Sequence, residues 1–257
     1  MTFKMKTLVR LTAVLALSMN ACSANPARSA RVSMPARECP GGVVQSANDA
    51  ARFTGCTAVA GDLRVEHTEF SDLTGLASLR SVSGTFTVAH NRSLADLAGL
   101  EGLRAVHGLV LLDNPELADI SALSTLRDAR MVELRSNPGL ETLRGLEGLN
   151  RVENLTLVDN GLFETAGLSH LREVGQLTVA ANQRLISLRG LNGLKRAGSV
   201  HIRNNRLLCG SLGLLPQLGE VTSTLELSSN RSLSERDLDG LRQHVKSGFV
   251  QPTLATR

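Results

Sequence analysis

His90, Asp113 and Asp159 are the residues best placed by type and spacing to move a proton. Asp113 follows His90 by 23 residues and Asp159 lies two such steps further on, so a fold that repeats with this period sets them in one line. An imidazole beside a carboxylate is the usual couple for general acid–base work. No nucleophile or oxyanion device accompanies them, however. The sequence also lacks a phosphate-binding glycine loop, metal-ligand spacing and a nucleophile-elbow pattern. The three are therefore expected to be solvated turn formers, in a non-enzymatic chain without cofactor or metal.

The elements that would position them follow from an asparagine that returns along the chain: Asn91, Asn114, Asn137, Asn160, Asn182, Asn205 and Asn230, at steps of 23, 23, 23, 22, 23 and 25 residues. A fixed period of this length means stacked supersecondary units, none of which buries its apolar side alone. Before each asparagine the residues alternate with period two, as in 109–117 (LVLLDNPEL) and 175–185 (GQLTVAANQRL). That pattern is a short strand with alternate side chains inward. The inward columns are Leu63, Phe86, Leu109, Val132, Leu155, Leu177, Val200 and Leu225, and then Val65, Val88, Leu111, Leu134, Leu157, Val179, Ile202 and Leu227. Equivalent strands stack as a parallel sheet about 4.8 Å apart. The asparagine is expected to turn the chain, satisfying backbone groups at the corner and tolerating a left-handed conformation.

The second half of each unit is well shown by 94–106 (LADLAGLEGLRAV). Gly99, Gly145, Gly167 and Gly190 recur where the coil must bend sharply or rungs approach closely. After Asn230 the pattern changes. Residues 234–247 place Asp237 three after Ser234, with Leu238, Leu241 and Val245 at helical spacing, which predicts a capped amphipathic helix closing the stack. The expected fold is thus a β-rich solenoid, parallel β-helix-like or leucine-rich-repeat-like, with rungs of about 23 residues.

Composition narrows the partners. Hydrophobic residues are 42% of the 257, enough for a core, but aromatics are 2% with no Trp or Tyr, so Leu and Val must fill the interior. The common hot-spot anchors of protein interfaces are scarce for the same reason. The formal charge is +4; setting aside Lys4, Lys6 and Arg10 leaves 25 basic against 24 acidic residues. A nearly neutral body without a basic cluster argues against nucleic acid.

Residues 1–21 have the layout of a secretory signal: a basic start, an apolar run at 11–19, then a small residue. The run is too short to span a bilayer permanently. It ends Met19-Asn20-Ala21-Cys22, which resembles the lipobox of bacterial lipoproteins. That resemblance implies cleavage before Cys22 and a diacylglycerol on its thiol, hence a membrane-anchored envelope protein, with Ser23 favouring the outer membrane. A plain cut after Ala21 or Ala24, giving a secreted or periplasmic protein, is the alternative. Residues 22–38 read as a tether, with Pro26, Pro35 and no periodic apolar positions. The solenoid is then expected over 39–250 and a short tail over 251–257.

Export permits disulfides. Cys39 and Cys56 precede the first rung, where a solenoid needs a cap, and are read as one bridge worth roughly 3 kcal/mol in the chain-entropy picture. Cys209 is expected to be buried as a small apolar residue of the last rung, with a reactive thiol or intermolecular bridge as the alternative.

The rung is similar to that of the receptor L-domain, the ligand-binding module of the insulin and epidermal growth factor receptors. The residues carrying this resemblance are Cys39-Pro40-Gly41, then Cys56-Thr57-Ala58-Val59-Ala60-Gly61-Asp62-Leu63-Arg64-Val65, and late in the chain Asn205-Arg206-Leu207-Leu208-Cys209. It spans about residues 39–233 and implies a right-handed parallel solenoid that binds by its surface. Hormone binding and kinase signalling do not carry over, because the receptors' other regions are missing from this sequence.

A ligand would meet the outward strand positions. Val110, Leu112 and Val158 are apolar where solvent is expected, and Glu133, Arg135, His201 and Arg203 lie on the same face. An apolar centre with a charged rim suits a protein or glycan partner. The function expected is a non-catalytic recognition module of the cell envelope. A structural envelope component without a discrete ligand is the alternative.

Overall fold

The computed structural model describes residues 36–210 and 214–247. The signal segment, Cys22, most of the tether and the tail lie outside these. The strands are β1 (Glu38–Val44), β2 (Ala58–Glu66), β3 (Ser81–Ala89), β4 (Ala105–Leu112), β5 (Asp128–Arg135), β6 (Arg151–Val158), β7 (Glu173–Ala180), β8 (Arg196–Arg203), β9 (Glu220–Ser228) and β10 (Lys246–Ser247). All pair in parallel, in sequence order, within one sheet. A short helix α1 (Ala47–Ala51) follows β1, and α2 (Glu235–His244) follows β9. The chain is therefore the expected parallel solenoid.

Register stacks the inward columns as the period predicts: Leu63 pairs with Phe86, Phe86 with Leu109, and so on to Leu225. Every member of both columns is buried. The second half of each rung adds Leu94, Leu97, Leu100 and Leu103, then Leu117, Ile120, Leu123 and Leu126, all buried. Each such side chain contributes about 1.5–3 kcal/mol of transfer free energy. The three-residue spacing suits tight turns, which become 3-10 helix at Thr74–Leu76, Ser121–Thr125 and Arg189–Leu191. Gly99 and Gly145 adopt φ of +104° and +116°, and a Cβ there would collide with the carbonyls of Leu73 and Ile120 in the preceding rung.

The asparagines form a continuous buried ladder. Asn137 Nδ2 donates to Leu111 O at 3.0 Å, to Arg135 O at 2.9 Å and to Asn160 Oδ1 at 3.1 Å. Its own Oδ1 accepts from Asn114 N at 3.1 Å and Asn114 Nδ2 at 3.3 Å. The pattern runs from Asn91 to Asn230. Thr68, 23 residues before Asn91, begins it: its N–H and hydroxyl both donate to Asn91 Oδ1, at 3.0 and 2.7 Å. One expectation needs correcting. The left-handed residue is the one before each asparagine, His90, Asp113, Ser136, Asp159, Ala181, Asn204 and Ser229, and likewise His67 before Thr68, with φ between +51° and +58°. The asparagine side chain reaches into the rung, and the preceding residue makes the turn that lets it do so.

Both ends are closed. Cys39 and Cys56 are bridged, with Cα atoms 5.9 Å apart, and Phe53 is buried beside them. Arg37 already belongs to the fold, donating to Thr57 Oγ1 from its backbone and to Thr54 O from its guanidinium. At the other end α2 begins with the predicted capping box between Ser234 and Asp237 and buries Leu238 and Leu241. It is shorter than the 234–247 expected, since Val245 is already extended and β10 follows.

Two substitutions test this account. Asn137→Ala leaves the Asn114 N–H without its acceptor and takes one donor from each of the Leu111 and Arg135 carbonyls, and is expected to cost about 2–3 kcal/mol in urea unfolding. Thr165 occupies a buried position where neighbouring rungs carry Leu or Ile, and its hydroxyl has no hydrogen-bond partner among the described residues. Thr165→Val is expected to raise stability by about 1 kcal/mol in the same measurement.

Candidate functional site

The strand face places all seven candidate residues in two outward columns. Val110 and Leu112 lie on β4, Glu133 and Arg135 on β5, Val158 on β6, and His201 and Arg203 on β8. Register aligns Val110, Glu133, Thr156, Thr178, His201 and Glu226 in one column, and Leu112, Arg135, Val158, Ala180, Arg203 and Ser228 in the other. The first five candidates are thus immediate neighbours. His201 and Arg203 are separated from Val158 by β7, so they stand about two rung spacings, ~10 Å, away.

The electrostatics are largely internal to the face. The Arg135 guanidinium is hydrogen-bonded to Glu133 on the same strand. Arg64 is likewise paired with Glu66, at 2.7 Å. His201 Nδ1 lies 3.0 Å from Glu226 Oε2, and Ser228 Oγ donates to Glu226 Oε1 at 2.8 Å. These contacts, His201 first and Ser228 second, hold the Glu226 carboxyl below its ordinary value of 4.5 against a smaller opposing effect of burial, with Arg203 nearby adding to the lowering. Arg203 is the exposed charge of the group. Val110, Leu112 and Val158 are half-buried between these pairs.

The corner column sets His90 Nδ1 2.9 Å from Asp113 Oδ2 and stacks the His67 ring on His90 at 5.1 Å between centroids. Ser136, the hydroxyl in line with them, donates to Asp159 Oδ2 at 3.1 Å rather than to an imidazole. The arrangement therefore contains the acid–base couple without a nucleophile activated by it. All these residues are at the left-handed turn, which accounts for their polar, turn-forming character.

Sequence reasoning missed a second exposed surface. Phe163, Ile186 and Leu207 have relative exposures of 37%, 48% and 52%, and all lie just past the asparagine corner, on the face that follows the strands. Phe163 N donates to Glu141 O and Ile186 N to Phe163 O, so they continue the column of Ala95, Ala118 and Glu141. The signal was the change from Ala to Phe and Ile at one repeat position. Arg184 lies over the Phe163 ring at 3.9 Å and donates to Glu141 at 2.8 Å. In the same column Cys209 is half-buried, with its thiol directed at Ile186 O, 3.4 Å away. Asn91, Asn154 and Asn230 each begin an Asn-x-Ser/Thr triplet; Asn91 and Asn230 are buried in the ladder, while Asn154 is exposed. No helix among the described residues is long and apolar enough to cross a membrane.

Fold and surface together define an all-parallel β-solenoid built on an asparagine ladder. Residues 55–140, from just before β2 through the Asn137 corner, match the model of the Receptor L domain family, a non-enzymatic ligand-binding fold. The match points to a ligand-binding or recognition module. No curated protein and no solved structure matches the chain.

The contacts of Glu226 set a pH dependence. A carboxyl held below its ordinary value stabilises the folded chain above that value and loses its contribution as pH falls through the lowered one. Thermal midpoints should therefore fall on acidification below about pH 4.5, and Glu226→Gln should remove part of that fall while leaving the neutral-pH side flat.

Proposed function

We propose that this protein is an exported recognition module. Cys22 anchors it by a diacylglycerol to a bacterial envelope, with the outer membrane favoured, and the solenoid binds a protein or glycan through its strand face. The observation that carries the reading is the paired outward columns of β4 to β8. There three half-buried aliphatic side chains, Val110, Leu112 and Val158, adjoin Glu133 and Arg135, with His201 and Arg203 on the same face beyond β7. An interface with an apolar centre and polar rim has this composition. The family match over residues 55–140 supports a ligand-binding role for the fold, and β4 and β5 fall within the matched part.

The charges of the face give specificity more than affinity. Arg135 and Glu133 already satisfy one another, so a partner meets a fixed dipole there, whereas Arg203 is an exposed cation. Exposed charges of this kind steer encounter and choose partners.

The test is capture from envelope extract with the full-length protein as bait. A Leu112→Glu/Val158→Glu variant places charge at the centre of the face, and Ile186→Glu does the same on the surface beyond the asparagine corner. Both variants are first shown to keep the wild-type unfolding midpoint. A partner recovered equally by wild type and Ile186→Glu, but about ten-fold less by the face variant, is the expected result. Equal recovery by all three, or none, removes the strand-face reading and leaves a structural envelope component.

A further inference from the structure

The N-terminal cap contains a cleft of about 530 Å³, separate from the strand face. One wall comes from Val44 at the end of β1 and from Ala47, Ala50 and Ala51 of α1; the other comes from the segment Glu69–Leu76 of the first rung. The volume falls within the range of small-molecule sites, which are commonly apolar with a few placed polar groups. Phe70 is half-buried against the core and supplies an aromatic surface to the lining. The disulfide brackets α1, joining Cys39 before it to Cys56 after it, so the helical wall is held in place before any ligand arrives.

The charge of this cleft has one sign. Among the described residues its lining contains two carboxylates, Glu69 and Asp72, and no lysine, arginine or histidine. Asp72 Oδ1 accepts from Thr74 N at 2.9 Å and from Thr74 Oγ1 at 2.7 Å, and Ser71 Oγ lies 3.2 Å from Oδ2. These donors keep its carboxyl below the ordinary value and therefore ionised. Glu69 is exposed, and the Ser93 hydroxyl stands 3.5 Å from its Oε2, too long to satisfy a carboxylate. A ligand that paired with these oxygens would need a cationic head, and one that filled the remaining lining would need a hydrocarbon body.

We propose that the cleft between α1 and the first rung binds a small organic cation, a primary ammonium carried on a hydrocarbon or aryl-alkyl body. The ammonium faces Glu69 and Asp72, and the body lies against Ala47, Ala50 and Phe70. Shape alone would admit a neutral molecule, and charge alone would attract any cation. The two together select the amphiphilic ammonium over its neutral and anionic relatives.

The test uses three probes of similar size, 2-phenylethylammonium, 2-phenylethanol and 3-phenylpropanoate, titrated onto the full-length chain and followed by ligand-detected magnetic resonance. The ammonium is expected to saturate, and the alcohol and the carboxylate to bind at least about ten-fold more weakly. Glu69→Gln keeps the shape and removes one charge, and should weaken the ammonium by about ten-fold with little effect on the alcohol. Ala47→Phe fills the cleft from an exposed helix position without touching the carboxylates, and should weaken both. Each variant is checked for an unchanged unfolding midpoint. The proposal is overturned if the ammonium shows no saturation below about 10 mM, if alcohol and ammonium bind alike, or if folded Glu69→Gln binds the ammonium as wild type does.

Discussion

Each rung depends on the one after it through a single amide side chain. The backbone N–H of an asparagine is satisfied by the Oδ1 of the next, as with Asn114 and Asn137 at 3.1 Å, while its Nδ2 reaches back to the strand of the rung before. A corner in a fully buried position would otherwise leave several backbone groups without partners, each at a cost of about 1–3 kcal/mol. The chain accordingly absorbs irregularity elsewhere and keeps the ladder. The interval from Asn205 to Asn230 is two residues longer than the usual 23, yet Asn205 N still meets Asn230 Oδ1 at 3.0 Å. One of the extra residues is taken up in β9, where the register with β8 shifts between Ala197 and Ser199.

The turn that leads into each strand is held in two ways that alternate. Arg80, Arg127 and Arg172 each turn a guanidinium back onto carbonyls of their own rung, and each lies where a Cβ on Gly102, Gly148 or Gly193 of the next rung would stand. At the intervening rungs the carbonyl is reached from the following coil instead. Thr125 Oγ1 lies 2.8 Å from Glu101 O and from Leu103 O, and His170 Nδ1 lies 2.9 Å from Glu147 O. Stacked coils bring these carbonyls to the surface at a fixed interval, so the next side chain along can serve when the local one does not. The glycine stands where the arginine occupies the space, and at Gly148 the Leu126 carbonyl crowds the same position.

These observations explain what could be read in advance. The period, the inward columns and the closing helix all depend on residue type at fixed spacing, so Leu109, Asn137 and Ser234 announce their places. Thr68 was equally available by counting back 23 residues from Asn91, but its hydroxyl and N–H replace an amide and hide the match. The left-handed turn was displaced by one residue because His90, Asp113, Ser136 and Ala181 share no single chemistry beyond tolerating that conformation. The alternation of Arg80 with Thr125 was not legible at all, since it links a side chain in one rung to the lack of one in the next. On the surface, Val110, Leu112 and Val158 could be placed on one face, but the pairing of Arg135 with Glu133 depends on side-chain direction, which spacing does not specify.

The same division of labour explains why the scaffold says more about itself than about its ligand. Inward positions are committed to Leu and Val, and corner positions to the amide ladder, so only the outward positions and the caps remain to vary. The outward strand columns are constrained further, because residues in register 4.8 Å apart must tolerate one another's charge. Along the first positions of the strands Arg151, Glu173, Arg196 and Glu220 alternate in sign, and Glu173 pairs with both its neighbours. Such neutralisation makes an exposed charge whose register partners are uncharged, such as Arg203 between Ala180 and Ser228, more informative than a count of charged residues. The caps escape this constraint. The segment around α1 belongs to no repeat and is held by a covalent bridge, so the stack permits a cleft of single-signed charge there that its regular faces do not.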